Sequence, residues 1–186
     1  MKHWDMIVYL MRHGQTDWNK EYRLQGATDI PLNEEGRRQA KEAAEKMRDI
    51  PFECVYSSPL IRAKETAQII SAFHDIPTVV DDRLKEMSFG IYEGTTPDYE
   101  KQDINRVLLF EAPHRFVPQG GESFQQVFDR CLEFLKFLKT EPYECVLICA
   151  HGALCKAFQH VLSNGELSEF WDTPPIPNCS ALKITI

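Results

Sequence analysis

Three stretches of the chain place a cationic side chain next to a glycine or a helix-start signal. Arg12-His13-Gly14 follows the apolar run 6–11. Ser57-Ser58-Pro59, with Arg62 close behind, follows the run 52–56. His151-Gly152 follows the run 145–150. Each run has strand length and is rich in β-branched or aromatic residues, so each cationic segment falls just past the carboxyl end of a strand, where open parallel sheets bind ligands. Arg62 falls in the first turn or so of one helix and His151 just before another, at ends whose positive partial charge normally attracts acids. Two cations there make sense around an anion, most simply a phosphate. Gly14 and Gly152 would let backbone N–H groups approach it. Ordinary structural roles compete with this reading: Arg12 as a surface arginine, His13 and His151 as hydrogen-bonded core histidines, Arg62 paired with Glu65. The shared position of all four after strands favours the anion site. His3, His74, His114 and His160 lack that context.

The elements that must position these residues follow from periodicity. Besides the three runs, 77–80 reads as a weaker strand, and the alternating tail 181–186 reads as an edge or half-buried strand. Asn33, followed by Glu34 and Glu35, predicts a helix to about Arg48. Ser58-Pro59 predicts a helix with Pro at its first position and the face Ala63, Ala67, Ile70, Phe73. Phe124, Val127, Phe128, Cys131, Leu132, Leu135 and Leu138 mark one face of a helix over 122–139. A last helix is expected from near Gly152 to Leu162. Strand-then-helix alternation predicts an α/β fold: three-layer αβα, with a mostly parallel central sheet and helices on both faces. The expectation is one domain over 1–186, with a lid-like excursion at about 91–121.

Composition narrows the function classes. The 186 residues are 43% hydrophobic and 26% charged, which is globular, and the net charge of −7 argues against a nucleic-acid coat or an acidic membrane surface as partner. No apolar stretch approaches the ~18 residues of a membrane helix. Residues 1–11 are too short in their apolar run and too acidic for a signal peptide. The six cysteines form no C-x-x-C and no zinc-type spacing, and several lie in apolar runs, so reduced core thiols and a cytoplasmic location are expected.

The same residues carry a family resemblance. The segment Leu10-Met-Arg-His-Gly-Gln-Thr-Asp-Trp-Asn19 resembles the signature of the histidine phosphatase superfamily, which includes the cofactor-dependent phosphoglycerate mutases. Gln25-Gly26, Asp29-Ile-Pro-Leu-Asn33, Gly36 and Gln39-Ala40 resemble its next block. Ser57-Ser-Pro-Leu-Ile-Arg-Ala-Lys-Glu-Thr-Ala67, Leu84-Lys-Glu-Met-Ser-Phe-Gly-Ile-Tyr-Glu-Gly94, Gly120-Gly-Glu-Ser123 and Ala150-His-Gly-Ala153 follow in the family's order. The resemblance implies a phosphoglycerate mutase-like fold and a phosphohistidine mechanism. In it His13 is the nucleophile, and Arg12, Arg62 and His151 hold the phosphoryl oxygens with Asn19 and the Gly152 amide. Glu86 is the acid that protonates the leaving group and needs a raised pKa to start protonated. Thr16, Gln25 and Gly26 match the rim of the family's pocket, which implies that they touch phosphate or substrate. Glu122 reads as a helix-start structural residue. No metal and no cofactor are implied, because the cations take their place.

Three functions remain for such a site. The segment between Gly94 and Gly120 is short, and its basic residues are Lys101, Arg106, His114 and Arg115, which resembles the shorter phosphatases and points to a phosphomonoesterase of small phosphorylated metabolites. The alternatives are a phosphoglycerate mutase and a non-catalytic phosphate-sensing module. Phe89, Tyr92, Tyr99, Phe110 and Phe116 are candidate apolar contacts to a substrate.

Overall fold

A central sheet of five strands is built from β1 (Ile7–Arg12), β2 (Cys54–Ser57), β3 (Thr78–Val80), β4 (Cys145–Ala150) and β5 (Ala181–Thr185), in the order β3-β2-β4-β1-β5. The computed structural model describes residues 5–96 and 104–186. The strands β3, β2, β4 and β1 run parallel, and β5 pairs antiparallel with β1 at the edge, as its alternation predicts. The helices are α1 (Asp17–Lys20), α2 (Glu34–Lys46), α3 (Ile61–His74), α4 (Ile104–Glu111), α5 (Phe124–Leu138) and α6 (Gly152–Ser163).

Strand β4 explains the layering. It is buried throughout, and its side chains divide by parity. Val146, Ile148 and Ala150 join a core with Phe124, Phe134 and Leu154 of α5 and α6. Cys145, Leu147 and Cys149 join a second core with Ala43, Ala44, Ala67 and Ile70 of α2 and α3. A period of two thus feeds two cores on opposite faces, and the fold is the three-layer αβα sandwich. All six cysteines are free thiols, five of them buried.

Three local expectations are corrected. Helix α3 does not start at Pro59: its N-cap is Leu60, which makes no side-chain cap. The Ser58 hydroxyl accepts the Leu60 amide, and the Ile61 amide donates to the Asp29 carboxylate at 2.7 Å. The cap therefore comes from a distant loop. On α5, Leu132 is 42% exposed and Phe134 is buried in its place. At 100° per residue Leu132 falls on one flank of the stripe and Phe134 on the other, where it packs on Tyr56 and Phe158. On α3, Phe73 is 40% exposed and lies beside the Arg48 guanidinium.

The excursion is partly core. Tyr92, Leu109 and Phe116 are fully buried in the α5–α6 core, so Tyr92 and Phe116 are packing residues. Phe110 is half exposed and packs at a tilt against Trp171, the ring centroids 5.4 Å apart. Tyr99 and Lys101 lie outside the described residues. Among the described residues, no helix is long and apolar enough to cross a membrane.

Candidate active site

The cavity opens at the carboxyl ends of β1 and β4. It has a volume of about 200 Å³, and its walls include Arg12, His13, Asn19, Gln25, Gly26, Arg62, Glu86 and Gly152. Residues from distant blocks therefore meet at one edge of the sheet. His151 is not in the cavity wall itself but lies behind His13, the two ring centroids 5.1 Å apart. Thr16 stands behind the rim, fully buried, with its hydroxyl spent on Gln25 Oε1 and on capping α1. The expectation that Thr16 touches a ligand is replaced by a supporting role.

His13 is locked by its neighbours. Its Nδ1–H donates to the Gly14 carbonyl at 2.6 Å, which fixes the tautomer and leaves the lone pair on Nε2. Its own amide donates to Ala150 O, and its carbonyl accepts from Asn178 Nδ2 at 2.8 Å. Burial first, then the charges of Arg62 and Arg12, hold the His13 imidazole well below its ordinary pKa. That direction favours the neutral imidazole. His151 is pushed down for the same leading reason, burial, with Arg62 and His13 adding to it.

The glycine after His13 serves the backbone. A Cβ on Gly14 would sit 2.5 Å from the Gly36 carbonyl oxygen, and the Gly14 amide donates to Thr66 Oγ1. Its N–H is thus already committed, against the expectation that it reaches an anion. Gly152, at the first position of α6, faces the cavity beside the Arg12 guanidinium.

Arg62 is fully buried, and its fork is set by two carbonyls: Nη1–H donates to Thr28 O at 2.8 Å and Nη2–H to Gly26 O at 2.7 Å. Burial pulls its pKa down to about 10, against the opposing pull of Glu86, Asp29 and Glu93. The competing pairing with Glu65 is absent, because Glu65 pairs with Arg37. Asn19 Oδ1 accepts from the Thr16 amide at 3.1 Å and from Asn178 at 3.5 Å, which leaves its NH₂ as the end offered to the cavity.

Four buried polar nitrogens around His13 have no hydrogen-bond partner among the described residues: Nε of Arg12, Nε of Arg62 and both ring nitrogens of His151. Buried donors are normally paired, and leaving one unpaired costs about 1–3 kcal/mol. Three of the four are donors, the two Nε–H groups and the one N–H of the neutral His151 ring, and such a cluster suits an anionic ligand.

Glu86 lies across the cavity and is 8% exposed. Its Oε1 accepts from the Leu154 and Met87 amides at 3.0 and 2.9 Å, and its Oε2 accepts from Ala153 at 3.1 Å. The carboxylate therefore caps the first turn of α6 from outside the helix. Its sequence neighbours are engaged elsewhere, Lys85 with Asp82 and Arg83 with Asp81. The Glu86 segment is clamped by Arg130, which donates to the carbonyls of Arg83 and Lys85, and by Glu122, which accepts from the Ser88 amide and from Arg130. Glu122 is structural, but through Ser88 and Arg130; the start of α5 is capped by Ser123 and Gln126.

Sequence reasoning missed three residues. Glu93 accepts from the amides of Ala27, Thr28 and Phe89 and so fixes the loop that presents carbonyls to Arg62. Asn178 holds His13 and Asn19 from the segment before β5, and nothing in its surroundings in the sequence marks it. Lys156 lines the cavity one helical turn beyond Gly152. Its signal was present: a lysine amid apolar neighbours in Ala153-Leu-Cys-Lys-Ala-Phe158. Among the described residues, no group of three His, Cys, Asp or Glu side chains is arranged to hold a metal ion.

The model of the histidine phosphatase superfamily, branch 1, matches residues 8–186. A Bacillus subtilis protein named uncharacterized phosphatase PhoE is 38% identical over 160 residues, covering 86% of this chain and 78% of that one. A Cronobacter sakazakii protein named probable phosphoglycerate mutase GpmB is 37% identical over 149 residues, covering 78% of this chain and 69% of its own. The solved structure of Bacillus stearothermophilus YhfR superposes with a TM-score of 0.89 at 35% identity, over 96% of this chain and 90% of that one.

Proposed function

The chain belongs to the histidine phosphatase superfamily, and on that premise we propose that it is a cytoplasmic phosphomonoesterase that acts on small phosphorylated metabolites through a phosphohistidine at His13, without a metal ion. The observation that carries this reading is the ring of unpartnered buried nitrogens from Arg12, Arg62 and His151 around the imidazole of His13. Phosphoryl transfer asks mainly for positioning and charge stabilisation, which guanidinium groups supply in bidentate form. The small cavity, below the roughly 300–1,000 Å³ of drug-sized sites, suits a compact substrate.

In this mechanism Nε2 of His13 attacks phosphorus in line. The N–P bond forms as the P–O bond to the alcohol breaks. Arg12, Arg62, His151, the Asn19 NH₂ and the Gly152 N–H hold the equatorial oxygens. Glu86 gives its proton to the leaving alkoxide, then takes one from the water that breaks the N–P bond and releases phosphate. The test is a rapid acid-free quench with a ³²P-labelled phosphomonoester. Label on the His13 peptide, absent in His13→Asn, supports the reading; turnover that survives His13→Asn sinks it.

The mutase-named relative favours one second reading, a phosphoglycerate mutase. Interconversion of 2- and 3-phosphoglycerate with little phosphate release would mark it. Net phosphate release from p-nitrophenyl phosphate marks the esterase.

A further inference from the structure

The peptide unit between Gly14 and Gln15 is hydrogen-bonded at both ends. Its carbonyl accepts the Nδ1–H of His13 at 2.6 Å, and its N–H, that of Gln15, donates to Oε1 of Gln39 at 3.0 Å. Gln39 lies on α2, three residues beyond Gly36, and this turn of the helix sits directly on the loop that carries His13. A Cβ on Gly36 would stand 2.1 Å from the Gln15 carbonyl oxygen and 2.7 Å from its nitrogen. Asn33, the N-cap of α2, donates its backbone N–H to the Gln15 carbonyl at 3.0 Å and its NH₂ to Gln15 Oε1 at 3.1 Å. The Gln39 amide has a fixed sense. Its Nε2–H donates to Glu35 Oε1 at 3.3 Å, and Glu35 is itself held by Arg38. The carbonyl end of the side chain is thus the end turned to Gln15. The preceding peptide is tied separately, by the Gly14 N–H to Thr66 Oγ1 at 3.1 Å.

Hydrogen bonds in a chain polarise one another, by roughly 10–30% per bond. The Gly14 carbonyl is therefore a stronger acceptor when the N–H of the same peptide is bonded to Gln39. That bears on charge more than on shape. As Nε2 bonds to phosphorus and the P–O bond to the alcohol breaks, Nδ1 keeps its proton and the ring becomes positively charged. When water takes the phosphoryl group, the N–P electron pair returns to Nε2 and the ring is neutral again. Burial and the guanidinium groups of Arg62 and Arg12 all oppose a cationic ring, and the Gly14 carbonyl is the contact that favours it. A better acceptor on Nδ1–H thus stabilises the phosphorylated ring over the free one.

We infer that Gln39 is a positioning residue for the reaction: it polarises the peptide between Gly14 and Gln15 and, through that carbonyl, stabilises the phosphorylated ring of His13. This inference rests on the phosphohistidine reading and adds to it a side chain that never touches the substrate.

The experiment follows the rise and fall of ³²P-labelled phosphohistidine by rapid quench, in single turnovers of a labelled phosphomonoester. It compares the native protein with Gln39→Met, which removes the acceptor, and Gln39→Glu, which keeps an oxygen there and strengthens it. In Gln39→Met, formation of the phosphohistidine is expected to slow about 3- to 10-fold, the range of one hydrogen bond, while its hydrolysis quickens or keeps the native rate. In Gln39→Glu, formation is expected to be at least as fast as in the native protein and hydrolysis slower. A merely structural role would displace the ring and slow both steps together. Should Gln39→Met fail to fold, the two signs in Gln39→Glu decide alone. Parallel slowing of both steps in either variant, or native rates for both steps in both, overturns the role of Gln39 while label on His13 still upholds the phosphohistidine. No label on His13 in the native protein overturns both.

Discussion

Glu93 holds Arg62 at second hand. Its carboxylate accepts from the amides of Ala27 and Thr28 at 3.0 and 2.9 Å, and the carbonyls of Gly26 and Thr28 accept from the Arg62 guanidinium at 2.7 and 2.8 Å. Gly26 itself has φ +57°, and a Cβ there would meet the Glu93 carboxylate. The loop is thus folded around one acid and presents its carbonyls to one base.

Glu93→Gln puts an NH₂ against amide donors. It should cost about 1.5–3 kcal/mol of stability, the worth of hydrogen bonds to a charged group. Arg62 should drift, with kcat/KM falling roughly tenfold to a hundredfold, since misplacement by about 1 Å can cost 10². Urea unfolding and steady-state kinetics measure the two separately. A stability loss with unchanged kcat and KM would show that Arg62 keeps its place without Glu93.

Arg62→Lys should fail as a conservative change. A fork can bridge two carbonyls and still point Nε at a ligand; an ammonium cannot do both. We expect a loss of at least about 10²-fold in kcat/KM, or about 2.7 kcal/mol of transition-state binding. The variant should also bind inorganic sulfate more weakly. Sulfate-dependent thermal shifts of the two proteins provide the check, and equal shifts would exclude Arg62 from the anion cup.

The histidines predict a pH dependence of stability with a definite sign. His13, His151 and His74 all have folded pKa values below the ordinary 6.5, each led by burial. Above pH 6.5 both folded and unfolded forms hold them neutral, and stability is flat. Below it the unfolded chain takes up protons that the native protein refuses, so stability falls as pH drops. With His13 and His151 refusing protons, the slope approaches about 2.7 kcal/mol per pH unit, and the less buried His74 acts in the same direction. Sulfate in the cup should relieve the part due to His13 and His151. Urea midpoints from pH 7.5 to 5.5, with and without sulfate, test this; a midpoint that stays level or rises on acidification contradicts it.

How much of this was legible in the chain depended on the range of the forces involved. Strands β1 and β4 were readable because burial on both faces leaves unbroken apolar runs. Arg12, His13, Arg62 and His151 were readable because parallel strands all end on one side of the sheet. What failed was decided at a distance: the α3 cap is Asp29, some thirty residues upstream of Ile61, and the glycine after His13 exists for Gly36. Glu93 lies in the segment 84–94, but its partners Ala27 and Thr28 come from another loop. Lys156 is turned inward by contacts from the segment after α6, where Thr173 accepts from its ammonium and Trp171 packs beside it.

Glu86 combines two tasks that a single substitution can separate. Its oxygens cap α6 through Ala153 and Leu154, and in the proposed reaction the same carboxyl moves the leaving-group proton. Glu86→Gln keeps the shape but places an NH₂ toward those amides, so about 1 kcal/mol of cap stabilisation should be lost. The chemical effect should depend on the leaving group. An alkyl phosphate needs the proton and should slow by roughly 10²–10⁴-fold, the usual worth of general acid catalysis. p-Nitrophenolate is stable without one, so its ester should lose far less in the phosphorylation step. Single-turnover formation of phosphohistidine from the two esters measures that step alone. Equal losses for both would mean that Glu86 acts only as a cap, and that the proton comes from another group.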